Sequence, residues 1–131
     1  MAVVGTKGQE VDLLIRQGAT LGPVLCRLTN PNATAMNLTG AVIRGQIRKT
    51  ASSAGSTGAT AVCTITNALN GEFTYEFTAA ATTALVADDN SEEAPASIYV
   101  WDMELEDSTG RITPLVYGKV NVFREVTKTA P

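Results

Sequence analysis

Apolar and polar side chains alternate strictly over Ser97–Glu106, and this is the clearest pattern in the chain. A period of two is the repeat of a β-strand with one buried face, because successive side chains point to opposite sides. A polar turn leads into Ile112–Phe123, which predicts the returning strand of a hairpin. A tight turn would place Glu106 opposite Arg111, a favourable pair of charges. Pro114 cannot donate a main-chain hydrogen bond, so we expect it at a sheet edge or a bulge.

Further runs of apolar and β-branched residues, separated by glycine, proline and asparagine, predict strands along the rest of the chain. They cover residues 11–16, 24–28, 41–48, 60–66 and 72–77. Residues 50–58 carry no large apolar side chain and are predicted to form a flexible surface loop. Residues 78–86 start with threonine, a good N-cap, and continue with helix formers. They predict one short helix that crosses between sheets.

The strands on either side of Asn70-Gly71 predict a hairpin whose register can be tested by matching faces. A two-residue turn would place Ile65 opposite the charged Glu76. A three-residue loop that ends at a left-handed Gly71 instead places Ile65 opposite Tyr75. Because the second register keeps the apolar side chains of both strands together, we prefer it.

These elements fit one domain, since the chain has 131 residues, of which 44% are hydrophobic and 18% are charged. We predict an all-β fold, an immunoglobulin-like antiparallel β-sandwich of about seven strands with one short crossover helix. Residues 10–126 are expected to form this domain. Residues 1–9 are expected to form a flexible N-terminal arm and residues 127–131 a C-terminal tail.

The charge distribution favours neither nucleic acid nor membrane as a partner. The net charge is −3 and the chain has no basic cluster, whereas nucleic-acid binding normally needs a positive patch. No apolar run approaches the roughly 18–20 residues of a membrane-spanning helix. The first ten residues lack a hydrophobic signal core, so we expect folding in a cytoplasm.

The composition also argues against catalysis. The chain has no histidine, so Cys26 and Cys63 lack the usual partner for thiolate activation. With no histidine and no CxxC spacing, a two-cysteine metal site is disfavoured. Both cysteines lie in apolar strand contexts, which favours free thiols, although an inter-sheet disulfide stays open.

Two groups of acidic residues are candidate sites. The first lies on the polar face of the alternating strand and comprises Asp102, Glu104 and Glu106. Two carboxylates could serve a glycosidase, but a solvated face paired with Arg111, or with Arg44 and Arg48, is favoured. The second, residues 88–93, could offer oxygen ligands to Ca²⁺, yet it lacks the EF-hand pattern and is predicted to be a solvated loop. We therefore predict no catalytic, cofactor-binding or metal site.

Three stretches carry a family resemblance when they are taken together. They are Leu38-Thr39-Gly40-Ala41 with Arg44, Gln46 and Arg48; the run AATTAL at 80–85; and Tyr99, Trp101-Asp102, Glu104-Leu105, Asp107 and Gly110. In this order the chain resembles small β-sandwich proteins encoded among tailed-phage tail genes, and it is similar to the N-terminal domain of phage baseplate upper proteins. The resemblance covers residues 10–125.

The resemblance implies a non-enzymatic structural component of a tailed-phage virion, assembled in the host cytoplasm. No coiled-coil or fibre segment follows the sandwich within the 131 residues, so we expect a tail or baseplate component or a fibre adaptor. Its partners would be other phage structural proteins, and copies of itself in a symmetric assembly. The two ends and residues 50–58 are expected to make contacts between subunits.

Two alternatives stay open at this point. One is a capsid decoration protein. The other is a carbohydrate-binding or adhesion module, which predicts that Trp101 or Tyr117 is exposed as a stacking platform. The pattern itself predicts that Trp101 is buried.

Overall fold

The computed structural model describes residues 2–3, 8–49, 57–85 and 97–123. Its strands are β1 (Ala2–Val3), β2 (Gln9–Glu10), β3 (Leu13–Arg16), β4 (Leu21–Thr29), β5 (Val42–Arg48), β6 (Thr57–Thr60), β7 (Val62–Asn67), β8 (Glu72–Phe77), β9 (Ser97–Glu106) and β10 (Ile112–Phe123). A 3-10 turn spans Ala68–Asn70, and the helix α1 spans Ala79–Thr83. The alternating strand and its return strand have the predicted bounds.

The strands form two sheets that pack face to face. The smaller sheet has the order β1-β4-β8-β7 and the larger has the order β2-β10-β9-β5-β6, with β3 also beside β10. Labelled as in an immunoglobulin domain, the smaller sheet is ABED, and the larger contains G, F and C with an added edge strand. The predicted all-β, immunoglobulin-like sandwich is confirmed, and so is its one short helix.

The segment before β4 contributes to both sheets. β1 pairs in parallel with β4, and β2 and β3 pair in parallel with β10. The sequence predicts a flexible N-terminal arm over 1–9, and the structure places Ala2–Val3 and Gln9 of this segment in paired strands. Two-residue strands have no periodicity of their own, because they exist only by pairing with an edge formed by distant residues. The tail at 127–131 lies outside the described residues.

Aromatic side chains join the two sheets at the centre of the core. Trp101 on β9 is only 3% exposed. Its ring centroid lies 5.6 Å from that of Tyr75 and 6.2 Å from that of Phe77, both on β8. Such pairs add about 0.5–1.5 kcal/mol each beyond the area that they bury. The burial of Trp101 that the alternation predicts is confirmed.

The β7–β8 hairpin has the predicted faces but a different register. Ile65 pairs with Phe73 rather than with Tyr75, and Cys63 pairs with Tyr75. The connection is longer than the predicted loop because Asn67 caps the 3-10 turn by accepting from the amide of Asn70. Gly71 follows in the left-handed conformation, φ 72°, as expected. The strands are therefore displaced by two residues, a shift that keeps every side chain on its predicted face.

The helix predicted over 78–86 is confirmed in a shorter form, Ala79–Thr83. The loop predicted over 50–58 extends two residues too far toward the C-terminus. The hydroxyl of Thr78 accepts a hydrogen bond from the amide of Ala81 at 3.2 Å and begins the helix. Thr57 and Gly58 belong to β6, so the predicted surface loop over 50–58 was wrong at these two residues. Residues 50–56 and the acidic residues 88–93 lie outside the described residues.

Both cysteines are free and half-buried on the inner face of the smaller sheet. Cys26 pairs with Phe73, and Cys63 pairs with Tyr75 from the opposite side of β8. The cysteines lie two strand spacings apart, about 9–10 Å, and are also offset by two residues along β8, so their separation exceeds the Cα separation of about 7 Å that a disulfide tolerates. The inter-sheet disulfide is therefore not formed.

Candidate functional site

The outer face of the larger sheet carries a row of polar side chains from four strands. Gln46 pairs with Asp102, Asp102 pairs with Tyr117, and Tyr117 pairs with Glu10. Because paired residues on adjacent strands point to the same side, these four side chains form one line across β5, β9, β10 and β2. We call them the polar row.

Tyr117 reaches this face because of a bulge in β10. The pairing with β9 shifts between Pro114 and Val116, so Leu115 and Val116 are both buried. The prediction that Pro114 marks an edge or a bulge is thus confirmed as a bulge. One extra residue reverses the faces of the strand beyond it. Tyr117 therefore points outward and is 43% exposed, instead of entering the core.

An ion-pair network lies beside the polar row. The guanidinium of Arg44 contacts the carboxylates of Glu104 at 3.0 Å and Glu106 at 2.8 Å. The hydrogen bond from Arg44 to Glu106, and next the hydrogen bond to Glu104, raise the pKa of the Arg44 guanidinium. The solvated, paired face predicted for the acidic residues is confirmed for these two.

Glu106 does not face Arg111, contrary to the tight turn predicted for this hairpin. It pairs with Ile112. The amide of Asp107 instead bonds the carbonyl of Arg111 at 2.9 Å, and Gly110 closes the loop at φ 90°. The connection has three residues between Asp107 and Arg111, one more than a two-residue turn, and this changes the partner of Glu106.

Together the polar row and its neighbours surround a groove of about 740 Å³. Its charged walls include both signs in equal number: Glu10, Asp102 and Glu104 against Arg44, Arg48 and Lys119. Residues of β5, β9 and β10 form most of the lining, and Gln46 and Tyr117 are among its uncharged polar members. We refer to this feature as the groove.

Within the groove, the carboxyl of Asp102 has a shifted pKa and the guanidinium of Arg48 is hydrogen-bonded to Gln46. Burial, followed by the neighbouring Glu104 carboxylate, raises the pKa of Asp102, and Arg48 opposes the shift. The guanidinium of Arg48 donates to the side-chain oxygen of Gln46 at 2.9 and 3.1 Å. Asp102 therefore lies where a ligand's hydrogen-bond donor or positive charge would be stabilised.

The two aromatic residues considered for stacking differ in exposure. Trp101 faces the core, and its indole nitrogen donates to the carbonyl oxygen of Val11 at 2.7 Å. It therefore offers no platform to a ligand. Tyr117 presents its ring to the groove. Of these two residues, only Tyr117 offers a ring on which a ligand can stack.

The side chains that line the groove can supply hydrogen bonds and charge pairs to a ligand. Across residues 8–49, 57–85 and 97–123, no three cysteine, aspartate or glutamate side chains are placed to hold a metal ion. The described helix α1 is too short to cross a membrane. The sequence does not predict that four of the lining residues lie together: Glu10, Gln46, Tyr117 and Lys119. The one sequence feature that points to this face is Pro114, which predicts the bulge that turns Tyr117 outward.

A scan against protein-family models finds no match to the chain, and a search of curated proteins finds no relative.

Proposed function

We propose that this protein is a non-enzymatic structural component of a tailed-phage virion, a tail, baseplate or fibre-adaptor subunit that acts through protein–protein contacts. The observation that carries the proposal is the outer face of the larger sheet. The sequence resemblance to phage tail β-sandwich proteins supplies the biological context.

This face has the composition of a protein-binding surface. Arginine and tyrosine are enriched in such interfaces, and Arg44, Arg48 and Tyr117 all line the groove. Two exposed apolar residues extend the surface, since Val42 and Ile112 pair with Glu106 from opposite sides and are each 53% exposed. An apolar margin beside a groove of balanced charge suits a partner with both polar and apolar side chains.

Genetic complementation tests the proposal. The gene is deleted from the phage or prophage that encodes it and is supplied from a plasmid. Wild-type protein should restore infectious particles. The double variant Arg48→Glu, Tyr117→Ala should fold normally and restore at least tenfold fewer, because it reverses one charge and removes the aromatic ring of the groove.

The matched control is Thr74→Ala on β8, whose side chain lies on the outer face of the smaller sheet. It should complement like wild type. If the deletion leaves particle yield and infectivity unchanged, or if no phage genome encodes the protein, the proposal fails.

A carbohydrate-binding or adhesion module is the second candidate, and the exposure of Tyr117 favours it. A sugar ring could stack on Tyr117 while the amide nitrogen of Gln46 donates to its hydroxyls and the carboxylate of Asp102 accepts from them. A glycan array followed by calorimetry tests this function. Binding that disappears in Tyr117→Ala would support it, and the absence of binding to any glycan would remove it.

A further inference from the structure

The outer edge of the smaller sheet is formed by β7. Within the described part of the chain this strand pairs with β8 alone, and β8 covers one side of it only. Its six residues, Val-Cys-Thr-Ile-Thr-Asn, include no charged residue and no proline. A strand edge of this kind presents unpaired amide and carbonyl groups to any further strand.

The other sheet edges are short or interrupted. β6 has four residues and a register shift between Ile47 and Arg48. β1 has two residues. The remaining edge is broken between β2 and β3, where the side chain of Asp12 accepts from the amide of Lys119 at 2.9 Å. Short and interrupted strands are the means by which proteins avoid edge-to-edge pairing. β7 is longer than β6 and β1, and its pairing with β8 is regular from Val62 to Ile65, with a register shift only at its end, between Ile65 and Asn67.

The side chains of β7 are also incompletely covered. Cys63 and Ile65 point toward the core but are only half-buried, whereas Phe73 and Tyr75, their partners on β8, are 1% and 6% exposed. Val62, on the opposite face, is 51% exposed. An additional strand beside β7 would cover the inward pair and complete the hydrogen bonding of the edge.

We infer that β7 of one copy pairs antiparallel with β7 of a second copy, which joins the two smaller sheets into one eight-stranded sheet across a twofold axis. The strand is complementary to itself: Val62, Thr64 and Thr66 share one face, and Cys63 and Ile65 share the other. In the register that sets Thr64 opposite itself, Val62 meets Thr66 and Cys63 meets Ile65, so each pair keeps both of its side chains on one face. No like charges meet on the paired strands.

A second copy is favoured over a different protein because β7 carries no feature that selects one. Discrimination between partners normally uses charges or buried polar groups, which reject the wrong strand. β7 has no charge to offer a foreign partner. Six residues bury less surface than a standard interface, so the dimer is weak, with a dissociation constant of about micromolar or weaker.

A second copy of the chain would be one of the protein partners that the proposed function requires. The β7 pairing rests on the proposed function only for the biological role of the dimer. Sedimentation velocity from micromolar to near-millimolar protein tests it, together with hydrogen exchange over the same range. Wild type should show a concentration-dependent dimer. The amides of β7 should become more protected as the dimer forms.

The deciding variant is Thr64→Lys on β7, and its control is Thr74→Lys at the paired position on β8. Both add one lysine to the outer face of the same sheet, but only the first sets like charges across the dimer axis. Thr64→Lys should weaken dimerisation at least tenfold, and Thr74→Lys should leave it within twofold. Val62→Lys provides a second edge variant if Thr64→Lys does not fold.

A protein that stays monomeric with β7 amides already protected would overturn the inference, since another segment of the chain would then cover the edge. Equal dimerisation of Thr64→Lys and wild type would overturn it as well. A monomer that still enters phage particles contradicts the β7 pairing alone. A dimer that never enters a particle contradicts the proposed function alone.

Discussion

The indole nitrogen of Trp101 donates to the carbonyl oxygen of Val11 at 2.7 Å, which joins the centre of the core to the crossing between β2 and β3. Gly118 pairs with Trp101 and lies directly beneath this carbonyl. The amide of Val11 in turn donates to the carbonyl of Tyr117 at 2.8 Å. The N-terminal segment is thus fixed on the strand that presents Tyr117 to the groove.

Gly118→Ala should destabilise the protein through a steric clash. A Cβ at this position would overlap the carbonyl oxygen and carbon of Val11, which are main-chain atoms and cannot rotate away, and it would also crowd the side-chain oxygen of Asp12. We expect a loss of about 2–3 kcal/mol in the free energy of unfolding, measured by urea denaturation. Gly110→Ala is the control, because a Cβ there meets no atom within 4 Å and only its φ of 90° is unfavourable. Its expected loss is about 1 kcal/mol, and equal losses would contradict the account.

Trp101→Phe should lower stability by about 2–3 kcal/mol, because the substitution removes the bond to Val11 and leaves a cavity beside Tyr75. Hydrogen exchange of the Val11 amide, measured by NMR, should become faster in this variant. The increase should exceed the increase that the loss of global stability alone would cause. Met103→Leu on the same strand keeps volume and polarity and should cost less than about 1.5 kcal/mol. A Val11 amide that exchanges at the wild-type rate in Trp101→Phe would argue against this coupling.

The hairpin of β7 and β8 shows what hydrophobic patterning can and cannot decide. Matching faces predicts correctly that Ile65 and Phe73 point to one side. A displacement of two residues leaves that match unchanged, so the criterion cannot distinguish the predicted register from the observed one. The choice depends on the turn, where Asn67 caps a 3-10 turn that no periodicity reveals.

Strict alternation over a long strand, as in β9, predicts both the bounds and the buried face. β6 escaped prediction because Thr57, Gly58 and Ala59 are small. A small residue suits position 58, since a Cβ would lie 2.9 Å from the side chain of Leu85 and 3.1 Å from the carbonyl oxygen of Ile47. The groove could not be predicted either, because Gln46, Asp102 and Tyr117 meet only through strand order and the bulge in β10.

Asp102→Asn should stabilise the protein at neutral pH. Burial, then Glu104, raises the pKa of this carboxyl in the folded state, so its ionised form is less favourable folded than unfolded. This penalty is complete above the folded pKa and vanishes below the unfolded pKa. We expect a gain of less than about 1 kcal/mol at pH 7, since the side chain is partly solvated, and none in acid where both states are protonated.

Thermal unfolding of Asp102→Asn and wild type at several pH values measures this difference. Glu104→Gln is the control, because it removes an ion pair with Arg44 and should lower stability slightly, by about 0–1 kcal/mol, at pH 7. A stabilisation by Asp102→Asn that persists unchanged in acid would show that the pKa of Asp102 is not its origin.

The thiols should react slowly in the folded protein. Burial, with a smaller contribution from Cys26, raises the pKa of Cys63 to about 11. Burial also raises the pKa of Cys26. Because the thiolate is the reactive form, we expect Cys63 to react with Ellman's reagent at pH 8 at least about a hundredfold more slowly than in the unfolded chain. Unfolding without reductant should release two reactive thiols, and finding none would indicate a disulfide.

Purified virions test the central proposal most directly. Particles are separated into heads and tails on a density gradient, and this protein is quantified in each fraction by mass spectrometry against the main tail protein. The proposed function predicts that it copurifies with tails at a constant ratio that survives high-salt washing. Its absence from washed particles, while the protein is abundant in the infected cell, would contradict a structural role in the virion.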